Sequence, residues 1–277
     1  MEHGVRLTLA YDGTAFAGYQ VQPEARTVQS VLEHAIERIT QHKVRVRSCS
    51  RTDAGVHAEA QIVAFSTSRS LSPRRWLLAL NRYLPPDVAV QDAAECAPGY
   101  EPRFDALDKT YRYLFHLGFA RDPLLRTRAW HLGRDAHARD GADLVQVQAD
   151  LDISAMQQAS QLFIGTHDFR AFRSSDDTRE NSKRTLHSVS LRPGFWEDPN
   201  LLALELRGNA FMKNMVRVIA GTLVALGRGQ ISAAQVTDLL SGAHKRHALC
   251  ETAPGHGLTL VAVTLGRARA QASHSAP

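Results

Sequence analysis

The chain has 277 residues and a mass of 30.6 kDa, with 44% hydrophobic and 22% charged residues. Those proportions exclude a mainly disordered chain, a collagen and a coiled coil, and no apolar run reaches the roughly 18 residues of a transmembrane helix. A net charge of +5 comes from 33 Lys plus Arg against 28 Asp plus Glu, and only five of the cations are lysines.

Residues 5–11 alternate apolar and polar side chains through Val5, Leu7, Leu9 and Tyr11, the pattern of a half-buried strand. Thr27 reads as an N-cap, and Val28, Val31, Leu32, Ala35, Ile36 and Ile39 recur at helical spacing, which predicts a helix over 28–41. Alternation returns over 43–49 and 60–65. A helix over 72–83 carries Pro73 in its first turn and stops at Pro85-Pro86, and a strand begins at 88–90. The order β-α-β-β-α-β is that of a ferredoxin-like unit.

The second half repeats that order. Tyr111, Tyr113, Phe115 and Leu117 alternate as a strand, and Asp152 caps a helix stopped by Gly165. Strands are expected over 185–191 and 202–206, and a strongly apolar helix over 211–226. Ser232 and Gln235 form a capping-box pair for a helix over 233–241, and 257–263 is a last strand. The expectation is an α+β fold of two ferredoxin-like halves, 1–105 and 106–266. Residues 133–150 read as a polar surface segment, and 267–277 as a disordered tail. The start lacks the basic and apolar blocks of a signal peptide. Cys49, Cys96 and Cys250 are odd in number and far apart, which argues against a disulfide framework and for a reducing cytoplasm.

Chemistry concentrates in three places. Arg51-Thr52-Asp53-Ala54-Gly55-Val56-His57 lies between two strands. Its carboxylate, Asp53, has the chemistry of a base or a nucleophile; the plainer reading is a hairpin turn in which Asp53 bonds its own backbone. Arg217 interrupts the apolar run 211–226, with Lys213 and Gly221 four residues to either side. It is either part of a solvated basic stripe or a cation opposite a carboxylate, whose charged form it would favour; Asp53 is the candidate partner. In Lys109-Thr110-Tyr111-Arg112-Tyr113, both tyrosines share one strand face, suited to core packing or to stacking on bases. The arginine excess fits an acidic polymer as partner, or plain codon bias. Residues 13–18 have P-loop glycine spacing but lack the Lys-Ser/Thr that must follow, and His244, His247 and Cys250 lack an obvious fourth zinc ligand.

Taken together, these stretches resemble the TruA family of tRNA pseudouridine synthases over almost the whole chain. The matching strings are Ala10-Tyr11-Asp12-Gly13-Thr14, Gly18-Tyr19-Gln20, Thr27-Val28-Gln29, residues 51–57, Arg103-Phe104 and residues 109–113. In the second half they are Gly165-Thr166-His167-Asp168-Phe169, Phe211, Met215-Val216-Arg217, Ala253-Pro254 and Gly257-Leu258. The resemblance implies a cofactor-free isomerase that converts uridine to pseudouridine at positions 38, 39 and 40 of the tRNA anticodon stem-loop. It also implies a homodimer, no membrane partner, and two ferredoxin-like halves joined into one mixed, mainly antiparallel sheet with the active cleft between them. By position, Asp53 matches the catalytic aspartate and Arg51 the neighbouring arginine that helps displace the target base. Tyr111 matches the tyrosine that stacks on uracil, Arg217 the arginine paired to the aspartate, and Leu258 falls in an apolar segment that lines the pocket. Two other classes compete: a catalytically silent tRNA-binding module of the same fold, and a hydrolase using Asp53 with His57. Products separate them, since the isomerase leaves the RNA chain intact and releases no free uracil.

Overall fold

The structure, a computed structural model, describes residues 2–133, 150–242 and 248–266. It is α+β, with ten strands among the described residues, paired both parallel and antiparallel. Contacts divide the described residues into two compact units, one within 2–109 and 259–266, the other within 110–258.

In the first unit, β1 (His3–Tyr11) buries Val5, Leu7, Leu9 and Tyr11 on one face, as its alternation dictates. It pairs antiparallel with β3 (His57–Thr67) on one side and β4 (Val88–Cys96) on the other. The far edge of β3 is shared. β2 (Arg47–Ser48) pairs antiparallel at Val63 and Ala64, and β10 (Leu258–Leu265) pairs parallel at His57 and Ala58. The order β4-β1-β3-β2 is the ferredoxin-like arrangement. α1 (Val28–Thr40) opens on a capping box between Thr27 and Ser30 and buries Val28, Leu32, Ala35 and Ile36. α2 (Pro73–Tyr83) buries Trp76 and Leu80, one helical turn apart, and Trp76 meets Phe65 edge-on at 5.2 Å. The short α3 (Pro102–Asp105) precedes β5 (Ala106–His116).

In the second unit the strand order is β5, β9 (Leu201–Gly208), β8 (Lys183–Pro193), β7 (Gly165–Asp168), and β6 (Trp130–His131) adds to β5 in parallel. α4 (Ile153–Ser160) is capped by Asp152, and α6 (Ala233–Leu240) by the Ser232–Gln235 box. α5 (Met215–Gly227) approaches α4 closely: a Cβ on Gly227 would lie 2.5 Å from Met156 Sδ.

Four elements differ from the sequence pattern. The strand expected over 43–49 shrinks to β2, because side chains of α1 take the Val46 main-chain groups: Val46 N–H donates to Glu33 Oε1 at 2.9 Å and Val46 O accepts Gln29 Nε2 at 3.1 Å. The helix expected from 211 begins at Met215, because Asn214 is left-handed with φ 62°. Lys213 therefore precedes α5 and shares no helical face with Arg217 and Gly221. β6 and β7 are too short to show a period. β10 packs with the first unit through Thr259↔His57 and Leu260↔Ala58, and Gly266 N–H bonds Asp105 O at 2.7 Å. Most of the 133–150 segment, the tail 267–277, and His244 and His247 lie outside the described residues.

Candidate active site

The Asp53 loop is seated by the turn that follows β1. Asp12 caps the single 3-10 turn Gly13–Ala15, and Gly13 N–H donates to Nδ1 of the buried His57 at 3.0 Å. Because a donor occupies Nδ1, the 3.2 Å approach of Asp12 Oδ1 to that nitrogen is proximity and not an ion pair. A Cβ on Gly13 would stand 2.1 Å from Val56 O, so only glycine fits beneath the loop. Gly18, with φ +115°, would bring a Cβ to 3.0 Å from Thr52 O. Tyr19 N–H donates to Thr52 O at 3.0 Å, and Gly55 N–H faces Phe16 O at 3.4 Å. Gly55 itself turns at φ +75°, and Val56 N–H closes on Asp53 O at 3.2 Å. The strings 10–14 and 18–20 thus form the bed on which residues 52–57 lie, and the apparent P-loop spacing is a packing feature. Asp53 is half-buried and Arg51 exposed on this loop.

A buried polar set holds the loop from its other end. Gln61, fully buried on β3, donates through Nε2 to Ser50 O at 2.8 Å and accepts Ser50 N–H on Oε1 at 3.2 Å. Tyr11 Oη and Thr52 Oγ1 are 2.8 Å apart. Burial pushes the Tyr11 phenol up to about 12, against the opposing effect of its bonds to Thr52 and Gln61. Lys109 Nζ donates to Cys49 O at 3.0 Å, and burial lowers its pKa. The sequence reading missed Gln61, although an amide between Ala60 and Ile62 on a core strand signals a buried group that must be satisfied. Gln61→Leu keeps the volume but removes the two hydrogen bonds that Gln61 makes to Ser50 N–H and O. It is expected to lower stability by about 1–3 kcal/mol and to slow turnover more than it weakens substrate binding, checked by thermal melting and single-turnover kinetics. Unchanged melting would show that the clamp holds nothing.

In the second unit, Arg217 lies in the first turn of α5 and is the one residue of that helix not buried. Its Nε donates to Ala253 O at 2.7 Å and its Nη1 to Asn214 Oδ1 at 2.8 Å, both neutral acceptors. A cation at a helix N-terminus opposes the helix dipole, so this end of α5 favours an anion. The segment 251–258 lies along the helix: a Cβ on Gly221 would stand 2.1 Å from Glu251 O. Tyr113 is fully buried, and its hydroxyl donates to Pro254 O at 2.8 Å. Burial, chiefly, raises its pKa. Tyr113 is therefore a core residue. Tyr111, 7% exposed, meets Phe211 edge-on at 4.9 Å. Leu258 opens β10 and is buried. This unit thus brings Arg217 together with the 253–254 segment, and Tyr111 with Phe211. No cluster of three metal-ligating side chains occurs among the described residues.

A family model described as tRNA pseudouridine synthase matches residues 8–105 and 159–264. The chain is 42% identical over 260 residues to tRNA pseudouridine synthase A of Pelobacter propionicus, covering 94% of this chain and 98% of the relative. It is 41% identical over 257 residues to the protein of that name from Halalkalibacterium halodurans, covering 92% and 89%. For the one from Chloroflexus aurantiacus the figures are 39% over 259 residues, 94% and 87%. The first matched stretch carries the Asp53 loop with the glycine bed that shapes it, and the second carries Arg217 and Leu258. Likeness of that extent, present in both units, makes this chain a member of the tRNA pseudouridine synthase family.

Proposed function

We propose that the protein isomerises uridine to pseudouridine in tRNA, at positions 38, 39 and 40 of the anticodon stem-loop, working as a homodimer with Asp53 as nucleophile. The observation that carries the reading is the clamped loop: a half-buried carboxylate on a backbone tied at Ser50, Thr52 and Gly55. A loop that needed only to turn would not need that support, and the loop falls within the stretch that matches the family.

The reaction breaks the N1–C1′ bond, turns the uracil, and rejoins it to C1′ through C5. C5 loses a proton and N1 gains one, so no atom is added and no electron leaves. A carboxylate attacks the nucleotide or assists departure of uracil by taking a proton. Arg217 supplies the cation that favours the charged carboxylate, and Arg51 helps displace the base. Tyr111 holds the detached ring, with Leu258 in the apolar wall. Flipping the base out of the stem costs a few kcal/mol, which arginine–phosphate contacts offset.

The test is incubation with unmodified tRNA bearing uridines at positions 38–40, followed by chemical labelling and primer extension. Pseudouridine at those positions supports the reading. Tight, salt-sensitive binding without modification would replace it with a silent tRNA-binding module, and free uracil or cut RNA would replace it with a hydrolase. Tyr111 gives a second check. Tyr111→Phe keeps the ring and is expected to retain most of the single-turnover rate, whereas Tyr111→Ala loses about a tenfold to hundredfold, the scale of one base–aromatic stack. Equal losses would assign the role to the hydroxyl.

A further inference from the structure

Asn214 stands at the N-cap of α5 and departs from ordinary capping twice. An N-cap residue is normally extended, and an asparagine there normally spends its side-chain oxygen on a main-chain N–H of the first turn. Asn214 is instead left-handed, at φ 62° and ψ 1°, and its side chain caps no N–H of the helix. Its Oδ1 accepts Arg217 Nη1 at 2.8 Å. Asparagine is among the few residues that tolerate this backbone region.

The kink is held from outside the helix. Ser174 N–H donates to Lys213 O at 2.9 Å, and Lys213 N–H donates to Asp177 Oδ2 at 3.4 Å. Asp177 N–H closes a turn on Ser174 O at 3.1 Å, and Arg179 grips the Asp177 carboxylate through Nε at 2.8 Å and through Nη2. Lys213 Nζ meets Asp176 Oδ2 at 2.6 Å. One turn, 174–177, thus engages both main-chain groups of the residue before the kink, and a left-handed residue persists where its surroundings fix it. From the other side, Arg217 Nε donates to Ala253 O at 2.7 Å, and Ala253 N–H donates back to Arg217 O at 3.1 Å. Two nitrogens of the guanidinium are therefore held by oxygens from two segments, neither of which carries a charge. That fixes the plane of the fork without neutralising it.

We propose that Asn214 is a positioning residue for the isomerisation: its side-chain oxygen, on a left-handed turn held by residues 174–177, orients the Arg217 guanidinium. The inference rests on the reading that gives Arg217 a part in the reaction, and adds a residue that acts through it. A cation in the first turn of a helix meets an adverse dipole, so without the amide the side chain is free to swing away from its working position.

The experiment compares wild type, Asn214→Gly, Asn214→His, Arg217→Lys and the double variant Asn214→Gly/Arg217→Lys. Melting, tRNA Kd and single-turnover rate at saturating tRNA are measured at about pH 8, where imidazole is neutral. Glycine enters the left-handed region without strain, so Asn214→Gly should melt within about 3 °C of wild type. Its Kd should stay within about twofold, because phosphate contacts dominate affinity. Its rate should fall about tenfold to hundredfold, the scale of a misplaced reacting group. Histidine tolerates the same backbone and offers a neutral ring nitrogen as acceptor, so Asn214→His should recover most of the lost rate. Arg217→Lys keeps the charge and loses the fork, and on that background Asn214→Gly should cost less than about twofold. A Gly variant at the wild-type rate, an equal loss on the Lys background, or a His variant as slow as the Gly variant would each overturn the positioning role alone. So would a Gly variant that melts far below wild type and loses tRNA binding, since Asn214 would then serve the fold. A wild type that forms no pseudouridine would overturn the functional reading and the role with it.

Discussion

Asp53→Asn is expected to fold, to bind tRNA and to form no pseudouridine. The substitution is nearly isosteric, and the loop's backbone is held at several other points. Ser50 is held by Gln61, Thr52 by Tyr11 and by Tyr19 N–H, and Gly55 by Phe16 O. The melting temperature should therefore stay within about 2 °C of wild type. Phosphate contacts dominate affinity for RNA, so the tRNA Kd should move by less than about threefold. The single-turnover rate should fall at least about a thousandfold, because an amide neither attacks carbon nor accepts a proton as a carboxylate does. That corresponds to about 4 kcal/mol of lost transition-state stabilisation. A variant keeping more than a tenth of the rate would remove Asp53 from the chemistry. One that misfolds and loses binding would show the residue to be structural.

Signals confined to a few neighbouring residues were legible in the sequence. Thr27, Ser232 and Asp152 cap the helices that they mark, because a capping side chain bonds an N–H two or three residues on. The alternation of β1 is a local consequence of one wet face and one dry face. Long-range pairings were not legible. Nothing within residues 43–49 tells that Glu33 and Gln29 will take the Val46 backbone and leave a two-residue strand. Nothing within 257–265 tells that the strand will run parallel to β3 at His57. Asn214 stopped the backward extension of α5 through a single left-handed residue, inside an apolar run whose period still reads as helix. The candidate site divides the same way. Asp53 and Arg217 stood out as charges in unusual company, whereas Gln61 acts through Ser50, eleven residues away, and through Tyr11.

Gly13→Ala is expected to damage catalysis without touching the assigned chemical groups. The added methyl would meet Val56 O at 2.1 Å and Val56 C at 2.5 Å, both backbone atoms that cannot rotate away. A comfortable contact is more than about 3.2 Å, so the turn or the loop must shift by about 1 Å. The shift falls where Gly13 N–H meets His57 Nδ1, at the end of the Asp53 loop. Overpacking of this kind costs about 1–3 kcal/mol, a drop in melting temperature of several degrees. A misplacement of about 1 Å in a reacting group costs about a hundredfold in rate, and that loss should appear in single-turnover kinetics at saturating tRNA. Gly99→Ala separates the two effects. Gly99 has φ +77°, and a methyl added there would meet no atom within 4 Å, so alanine strains the backbone by about 1 kcal/mol and leaves the loop alone. Comparable destabilisation in both variants, with the rate lost only in Gly13→Ala, would assign the loss to loop position. A Gly13→Ala protein with a rate within about twofold of wild type would mean that the loop moves freely of its bed, and that the glycine serves packing alone.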